Sequence, residues 1–130
     1  MKLFKEIKES FKNMEFVIIK PEFERYKDEI VKYLIDNGLV ISKVLKRRLS
    51  LDKALLLYIT HYDKDFYWDL CEYMSSGDSI GYLLYNPNNV DVLKLKDEIR
   101  KVYGKDDMRN AIHSSDSKKN VKRESNIYFN

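Results

Sequence analysis

Cysteine, proline and glycine are all scarce in this chain of 130 residues, with one, two and four copies. The single cysteine, Cys71, excludes an internal disulfide, and its apolar surroundings predict a buried thiol. With so few glycines there is no GxxxxGK or GxGxxG loop, so any bound nucleotide would have its phosphates held by side chains. No apolar stretch approaches the roughly 20 residues of a membrane span, so we expect a cytoplasmic protein without membrane contact.

The excess of charge of one sign is also small, with 24 basic against 21 acidic residues and a formal net charge of +3. That excess does not by itself indicate nucleic-acid binding, although it suits a small anionic ligand where a few cations converge. The hydrophobic content of 44% and the length of 130 residues predict one folded domain with a single core.

Residues 1–13 predict an N-terminal amphipathic helical extension, and residues 14–130 predict the domain itself. Apolar side chains recur at helical spacing in the extension, with lysines between them. These apolar residues are Leu3, Phe4, Ile7 and Phe11.

Hydrophobic periodicity predicts an alternation of strands and helices in the domain. The predicted strands are residues 15–20, 39–49, 80–85 and 126–129. The predicted helices are residues 23–37, 50–62, 65–74 and 90–103. This order favours an α+β domain with one sheet and helices packed on one of its faces. The simplest match is a ferredoxin-like split βαβ fold with a four-stranded antiparallel sheet.

The chain has only two histidines, His61 and His113. Together with one cysteine they match no usual zinc-ligand spacing, so no metal site of the protein is predicted. His113 lies in a stretch of small and polar residues, 110–116, where spacing alone supports a surface residue as well as a functional one.

An imidazole that attacks a phosphoryl group needs one ring nitrogen free and the other donating to a carboxylate or carbonyl. Asp116 and Glu124 are the nearby carboxylates. Transfer of a phosphoryl group also requires cations that offset its charge. Lys20, at the end of the first predicted strand, and Arg100, in the last predicted helix, are the candidates.

Four separate segments, taken in order, resemble nucleoside diphosphate kinases. Residues 109–117 are similar to that family's signature Asn-x-x-His-Gly-Ser-Asp. Residues 16–22 are similar to its first strand, which runs into Ile-Lys-Pro-Asp. His61-Tyr62 and residues 73–77 also match in order, so the resemblance covers about residues 14–129.

The resemblance implies a kinase in which His113 takes the terminal phosphate of a nucleoside triphosphate and gives it to a nucleoside diphosphate. Ser115 and Glu124 would orient the imidazole. Lys20 would contact the nucleotide phosphates, and Tyr62 would lie near that lysine and the terminal phosphate.

The same resemblance implies how the remainder of the nucleotide is held. Phe66 would stack on the base with Leu70 beside it, Arg100 would hold phosphate oxygens, and Asn110 would bind the sugar hydroxyls. Mg²⁺ would arrive with the nucleotide. Nucleoside di- and triphosphates would be the ligands, nucleic acid would not, and the protein would be a homo-oligomer.

The chain departs from the family pattern at four places, one of which is residues 62–66, a segment that is shorter than in the family. Ser114 replaces a glycine, which would be strained if that position needs a positive φ. Glu22-Phe23 replaces Asp-Gly. The segment from Asn86 to Ile99 is shorter than in the family and lacks an arginine and a threonine that bind phosphate. Lys94 or Lys96 is the candidate replacement for the arginine.

Two alternatives stay open on the sequence alone. The chain would in one case be a divergent, weakly active or inactive domain of this fold that binds nucleotides or a partner. In the other it would be a small RNA-binding domain of ferredoxin-like fold, on the basis of ten tyrosines and a basic C-terminal segment.

Overall fold

The structure, a computed structural model, describes residues 11–130, so most of the predicted N-terminal helix lies outside the described residues. The strands are β1 (Met14–Ile19), β2 (Val40–Arg47), β3 (Ser79–Tyr85) and β4 (Ile112–Ser114). The helices are α1 (Lys27–Asp36), α2 (Leu51–Leu57), α3 (Tyr67–Met74), α4 (Val92–Tyr103) and α5 (Lys118–Phe129). Short 3₁₀ turns cover Phe11–Asn13, Glu24–Tyr26 and Ile59–His61. Within the described range, no helix combines the length and the apolarity that crossing a membrane requires.

The four strands form one antiparallel sheet in the order β2-β3-β1-β4. Strand β1 therefore lies inside the sheet, with Ile18 opposite Gly81 on one side and opposite His113 on the other. The predicted ferredoxin-like fold with a four-stranded antiparallel sheet is confirmed. Strands β2 and β4 are the two edges of the sheet.

Helices cover both faces of the sheet, whereas the sequence pattern predicted helices on one face. Phe16 and Ile18 of β1 pack with α2, α3 and α5, while Val17 and Ile19 pack with α1 and α4. All four side chains are fully buried, so β1 is a continuous apolar run without a polar face. Cys71 is buried in the first of these two cores, as predicted.

The predicted strand at residues 126–129 is wrong, because these residues form the last turn of helix α5. The helix starts at Ser117, whose side chain accepts a hydrogen bond of 3.1 Å from the backbone N–H of Asn120. Its buried residues recur at helical spacing and are Val121, Glu124, Ser125 and Tyr128. The fourth strand is instead Ile112–Ser114, in the polar segment around His113.

Helix α5 lies directly on strand β3. A Cβ atom at Gly81 would overlap the ring of Tyr128, so the helix reaches the sheet backbone only because residue 81 is a glycine. The hydroxyl of Tyr128 is 3.0 Å from Ser79 Oγ, and Arg47 Nη1 donates to the carbonyl oxygen of Tyr128 at 2.9 Å. These contacts fix α5, which carries Glu124, relative to β1 and β4.

Candidate active site

His113 lies in the middle of edge strand β4 and contacts a carboxylate on helix α5. Its Nε2 atom is 2.5 Å from Glu124 Oε1. Because the carboxylate oxygen accepts, Nε2 carries the proton and the lone pair is on Nδ1. Within residues 11–130, Nδ1 makes no hydrogen bond, yet it is not among the buried unpaired atoms. The imidazole therefore presents an unprotonated nitrogen to solvent.

Glu124 is itself held on both carboxylate oxygens. Ser115 Oγ donates to Oε1 at 2.9 Å, and Arg123 Nη2 is 3.6 Å from Oε2. The carboxylate is buried behind His113, where Ser115 is buried as well. The three predicted residues His113, Ser115 and Glu124 thus form one hydrogen-bonded chain that fixes the orientation of the ring.

The surroundings of His113 favour its neutral form. Burial is the main cause that lowers the pKa of the imidazole, and the positive charges of Lys20 and Arg100 lower it further. The hydrogen bond and charge of Glu124 act in the opposite direction. With the pKa below its usual 6.5, the ring is neutral at pH 7 and Nδ1 keeps its lone pair.

A cleft of about 430 Å³ opens in front of His113. Most of the residues predicted from the sequence line this cleft, together with several that were not predicted. The predicted ones are Lys20, Phe66, Leu70, Arg100, Asn110 and His113. The others are Tyr58, His61, Asp107 and Met108.

Lys20 reaches the cleft from the end of β1, where Pro21 ends the strand pairing. Its side chain is almost completely buried, and Nζ donates to the carbonyl oxygen of Met108 at 3.1 Å. Burial, followed by the charges of Arg100 and Lys96, lowers the pKa of Lys20 from 10.5 to about 7. The amine therefore lies where an added negative charge would stabilise its protonated form.

Arg100 enters the cleft from helix α4. Its Nε donates to the carbonyl oxygen of Ile112, the residue before His113, at 3.0 Å. Burial lowers the pKa of the guanidinium, but an arginine stays charged at any physiological pH. Because Nε is used by the backbone, the two terminal nitrogens of the guanidinium are left for an anion.

Tyr62, which was predicted near Lys20 and the terminal phosphate, does not line the cleft, and the tyrosine that does is Tyr58. The side chain of Tyr62 is 71% exposed in the turn after α2, whereas Tyr58 is buried with its ring centroid 5.1 Å from that of His113. The Tyr58 hydroxyl is buried without a partner among the described residues. The signal for Tyr58 was its place in the apolar spacing of α2, where Leu57 and Tyr58 follow Ala54 by three and four residues, since such spacing predicts a buried side chain.

The opposite wall of the cleft is apolar. Phe66 precedes helix α3 and is 45% exposed, and Leu70 lies one turn later. Asn110 lies at the far end, where its amide nitrogen donates to the carbonyl oxygen of Asp107 at 2.8 Å. The amide oxygen of Asn110 is buried and has no partner among residues 11–130, so it is available to a ligand hydroxyl.

Positive φ values occur near His113, although not at Ser114. In the described residues, the non-glycine residues with positive φ are Glu22, Asn89 and Ala111, at 78°, 52° and 79°. Ser114 therefore carries no left-handed strain in place of the family's glycine. The unusual backbone lies at Ala111 and at Glu22, which follows Pro21.

Comparison with known proteins identifies the family of this domain. A sequence model described as nucleoside diphosphate kinase matches residues 13–130. This chain belongs to the nucleoside diphosphate kinase family. The resemblance inferred from the four sequence segments is thereby confirmed.

Members of the nucleoside diphosphate kinase family are similar to this chain over most of its length. Human nucleoside diphosphate kinase homolog 5 is 33% identical over an alignment 126 residues long, and the match covers 86% of this chain and 59% of that protein. The nucleoside diphosphate kinase of Persephonella marina is 28% identical over 126 residues, covering 87% of this chain and 90% of that one. The chain thus spans about three fifths of the longer relative and nearly all of the shorter one.

A solved structure agrees with the sequence comparison. The nucleoside diphosphate kinase of Aquifex aeolicus superposes with a TM-score of 0.80 at 26% identity, covering 91% of this chain and 95% of that one. The backbone of the family is therefore present here, although a fold by itself does not determine an activity.

Proposed function

We propose that this chain is a nucleoside diphosphate kinase that works through a phosphohistidine at His113. The observation that carries the proposal is the difference between the contacts of the two ring nitrogens of His113. Nε2 is occupied by Glu124, and Nδ1 is unprotonated and open to the cleft. That arrangement prepares a nucleophile without any proton having to leave it.

The reaction proceeds in two transfers through one intermediate. The Nδ1 lone pair attacks the terminal phosphorus of a nucleoside triphosphate, forming the N–P bond as the bond from phosphorus to the bridging oxygen breaks. The nucleoside diphosphate leaves with that electron pair. A different nucleoside diphosphate then attacks phosphorus, and the N–P bond breaks to return the lone pair to Nδ1. Glu124 stabilises the positive charge that the ring gains while it carries the phosphoryl group.

Two cations on the wall of the cleft stabilise the phosphates. Lys20 and Arg100 converge on the space in front of Nδ1, where the transferred group passes. The negative charge of the phosphates would return the pKa of Lys20 toward its usual value, so the amine is protonated when the nucleotide is bound. Preorganised positive charge of this kind lowers the barrier for phosphoryl transfer.

The remainder of the nucleotide fits the apolar wall. Phe66 and Leu70 provide a surface on which any base can stack, because a π face is common to all bases. Neither side chain reads the hydrogen-bonding edge of a base, which suits broad base tolerance. The free amide oxygen of Asn110 accepts from a sugar hydroxyl.

Mg²⁺ enters as part of the substrate. Asp107 is the one carboxylate that lines the cleft, and residues 11–130 contain no cluster of three or more potential ligand side chains. These residues fit a metal ion that is held mainly by nucleotide phosphates and water. The ion would add positive charge at the phosphates.

We also propose a cytoplasmic homo-oligomer formed through edge strand β2. The outer side of this edge exposes Val40 and Val44, which are apolar, and an exposed apolar edge strand favours pairing with another chain. A mass equal to one chain in light scattering would contradict the oligomer.

Labelling with γ-³²P-ATP tests the kinase mechanism. The wild-type protein should take up an acid-labile label, and added nucleoside diphosphate should remove it as labelled triphosphate. His113→Ala should take up none. The matched control is His61→Ala, the other histidine beside the cleft, which should still be labelled.

Two results would reject the mechanism. One is an unlabelled wild-type protein, and the other is equal labelling of the wild type and the His113 variant. Binding of ADP by a protein that takes up no label would support the alternative, a divergent domain that binds nucleotides without turnover.

A further inference from the structure

Two successive aspartates, Asp106 and Asp107, lie in the loop between helix α4 and strand β4, and the second of them lines the cleft. The Asp106 carboxylate is used within the loop. Its Oδ1 atom accepts from the backbone N–H groups of Met108 and Arg109 at 3.0 and 2.6 Å, and Oδ2 accepts from Arg109 Nε at 2.9 Å. Asp107 is exposed, and its carboxylate forms no hydrogen bond or ion pair with any described residue.

The loop holds the backbone of Asp107 beside the place proposed for the sugar. The hydrogen bonds of Asp106 fix the residues that follow Asp107, and Asn110 Nδ2 donates to the carbonyl oxygen of Asp107 at 2.8 Å. Because Asn110 is the proposed partner of the sugar hydroxyls, Asp107 lies next to the sugar. Its unused carboxylate is attached to backbone that is already ordered before a nucleotide binds.

The phosphate end of the cleft lies away from Asp107. The charges that shift the pKa values of Lys20 and Arg100 do not include that of Asp107. A carboxylate in contact with these cations would raise their pKa values. Of a nucleotide with its phosphates at Lys20 and its sugar at Asn110, the base is the part that remains for Asp107.

A carboxylate accepts hydrogen bonds and donates none, so it distinguishes bases by the N–H groups on their edges. Guanine presents two donors side by side, N1–H and the N2 amino group, which match the two oxygens of a carboxylate. Adenine and cytosine each present one amino group beside a ring nitrogen that accepts. Uracil presents one N–H between two carbonyl oxygens, and a carboxylate repels both of these oxygens.

We propose that Asp107 is a specificity-determining residue of this cleft, whose carboxylate accepts from N1–H and the N2 amino group of guanine and makes guanosine nucleotides the preferred ligands. The inference rests on the proposed function, because the ligand is taken to be a nucleotide with its base against Phe66. Phe66 and Leu70 stack on any base, and Asp107 adds the selection that stacking does not provide.

Calorimetric titration of the full chain with the Mg²⁺ complexes of guanosine, inosine, adenosine and uridine diphosphates tests this assignment. The wild type should bind GDP about tenfold or more tightly than UDP, and inosine diphosphate, which lacks the amino group, should lie between them. Asp107→Asn should weaken GDP binding about tenfold and change UDP binding less than about twofold, because the charged acceptor is lost at nearly constant volume. Asp69→Asn is the matched control, since Asp69 is an exposed aspartate of α3 that does not line the cleft. It should change the affinity for no diphosphate by more than about twofold.

The outcomes separate this inference from the kinase mechanism. If the wild type is labelled at His113 but binds the four diphosphates equally, or if Asp107→Asn keeps the same order of affinities, the assignment of Asp107 is wrong and the mechanism stands. If the label is absent but a preference for GDP is lost in Asp107→Asn, the assignment stands and the mechanism is wrong. A wild-type protein that binds no diphosphate overturns both. Equal melting temperatures of the variants exclude loss of folding as the cause.

Discussion

The two sides of the His113 ring are built differently. On the Nε2 side, His113, Ser115 and Arg123 together contact both carboxylate oxygens of Glu124. On the Nδ1 side, Lys20 is buried and Arg100 is half-buried, and neither forms an ion pair among the described residues. The first side is complete before a ligand arrives, whereas the second is completed by the ligand. The folded chain by itself therefore orients the His113 ring, whereas the charges of Lys20 and Arg100 are balanced only when a ligand binds.

The largest effect on activity is expected from a substitution on the Nε2 side of the ring, at Glu124. Glu124→Gln keeps the volume and one acceptor oxygen but removes the negative charge behind the ring. We expect the rate of phosphohistidine formation to fall about 10- to 100-fold. The KM for ATP should stay within about twofold, because Glu124 does not face the nucleotide. Rapid-quench measurement of the labelled protein checks the rate.

Ser115→Ala is a milder change to the same hydrogen-bonded group than Glu124→Gln. It removes one of the hydrogen bonds to Oε1 while leaving the carboxylate, so a loss of only a fewfold is expected. A rise in KM without a change in the rate of labelling, in either variant, would show that these residues support the nucleotide instead of His113.

A smaller effect is expected from pH on the Nδ1 side of the ring, where the protonation of Lys20 determines how ADP affinity changes. The pKa of Lys20 is lowered to about 7 in the free protein, so its amine is mostly neutral at pH 8. Phosphate binding requires the protonated amine, so ADP binding at pH 8 should take up about 0.9 proton and weaken about tenfold per pH unit above 7. Calorimetry in buffers of different ionisation enthalpy measures the uptake. Proton release, or affinity that rises with pH, would contradict a phosphate role for Lys20.

The smallest effect is expected at the apolar wall. Phe66→Ala removes the stacking surface, and because this side chain is half-exposed we expect a loss of about fivefold in affinity for every nucleoside diphosphate. Trp68→Ala is the control, since Trp68 is also half-exposed, in the first turn of the helix that follows Phe66, but does not line the cleft. Titrations with the diphosphates of adenosine, guanosine, cytidine and uridine check both variants. A loss confined to one base would mean that Phe66 contributes to base selection.

Local patterns in the sequence predicted the elements that form the interior of this fold. The run in β1 is apolar at every position that the sheet buries, and it ends at a proline, so its position was fixed by local signals. Helix α1 ends near Asn37-Gly38 for the same reason. The order of elements then limited the choice to very few folds.

The C-terminal region was predicted incorrectly because its signals are ambiguous. Ile127-Tyr128-Phe129 is a short apolar run, and such a run is compatible with a strand or with the end of a helix. The spacing from Val121 to Tyr128 was the helical signal. Strand β4 has only three residues and exists through its pairing with β1, which no local pattern reports.

The position of the tyrosine beside His113 shows a limit of matching short segments. The pair His61-Tyr62 was taken as the matching tyrosine, and this required a gap before Phe66. The chain instead places Tyr58, four residues earlier and at the end of α2, beside His113. Tyr58 is buried and Tyr62 is exposed, but this difference arises from tertiary packing, which matching short segments does not report.

The contact between Gly81 and Tyr128 has a consequence for how this domain can evolve. Gly81 lies in β3 and is not among the residues that line the cleft. Yet a single added methyl group there would push helix α5 away from the sheet, and the helix carries Glu124. The position of Glu124 behind His113 therefore depends on a residue without a side chain. Substitutions that impair this site are accordingly expected outside the cleft as well as inside it.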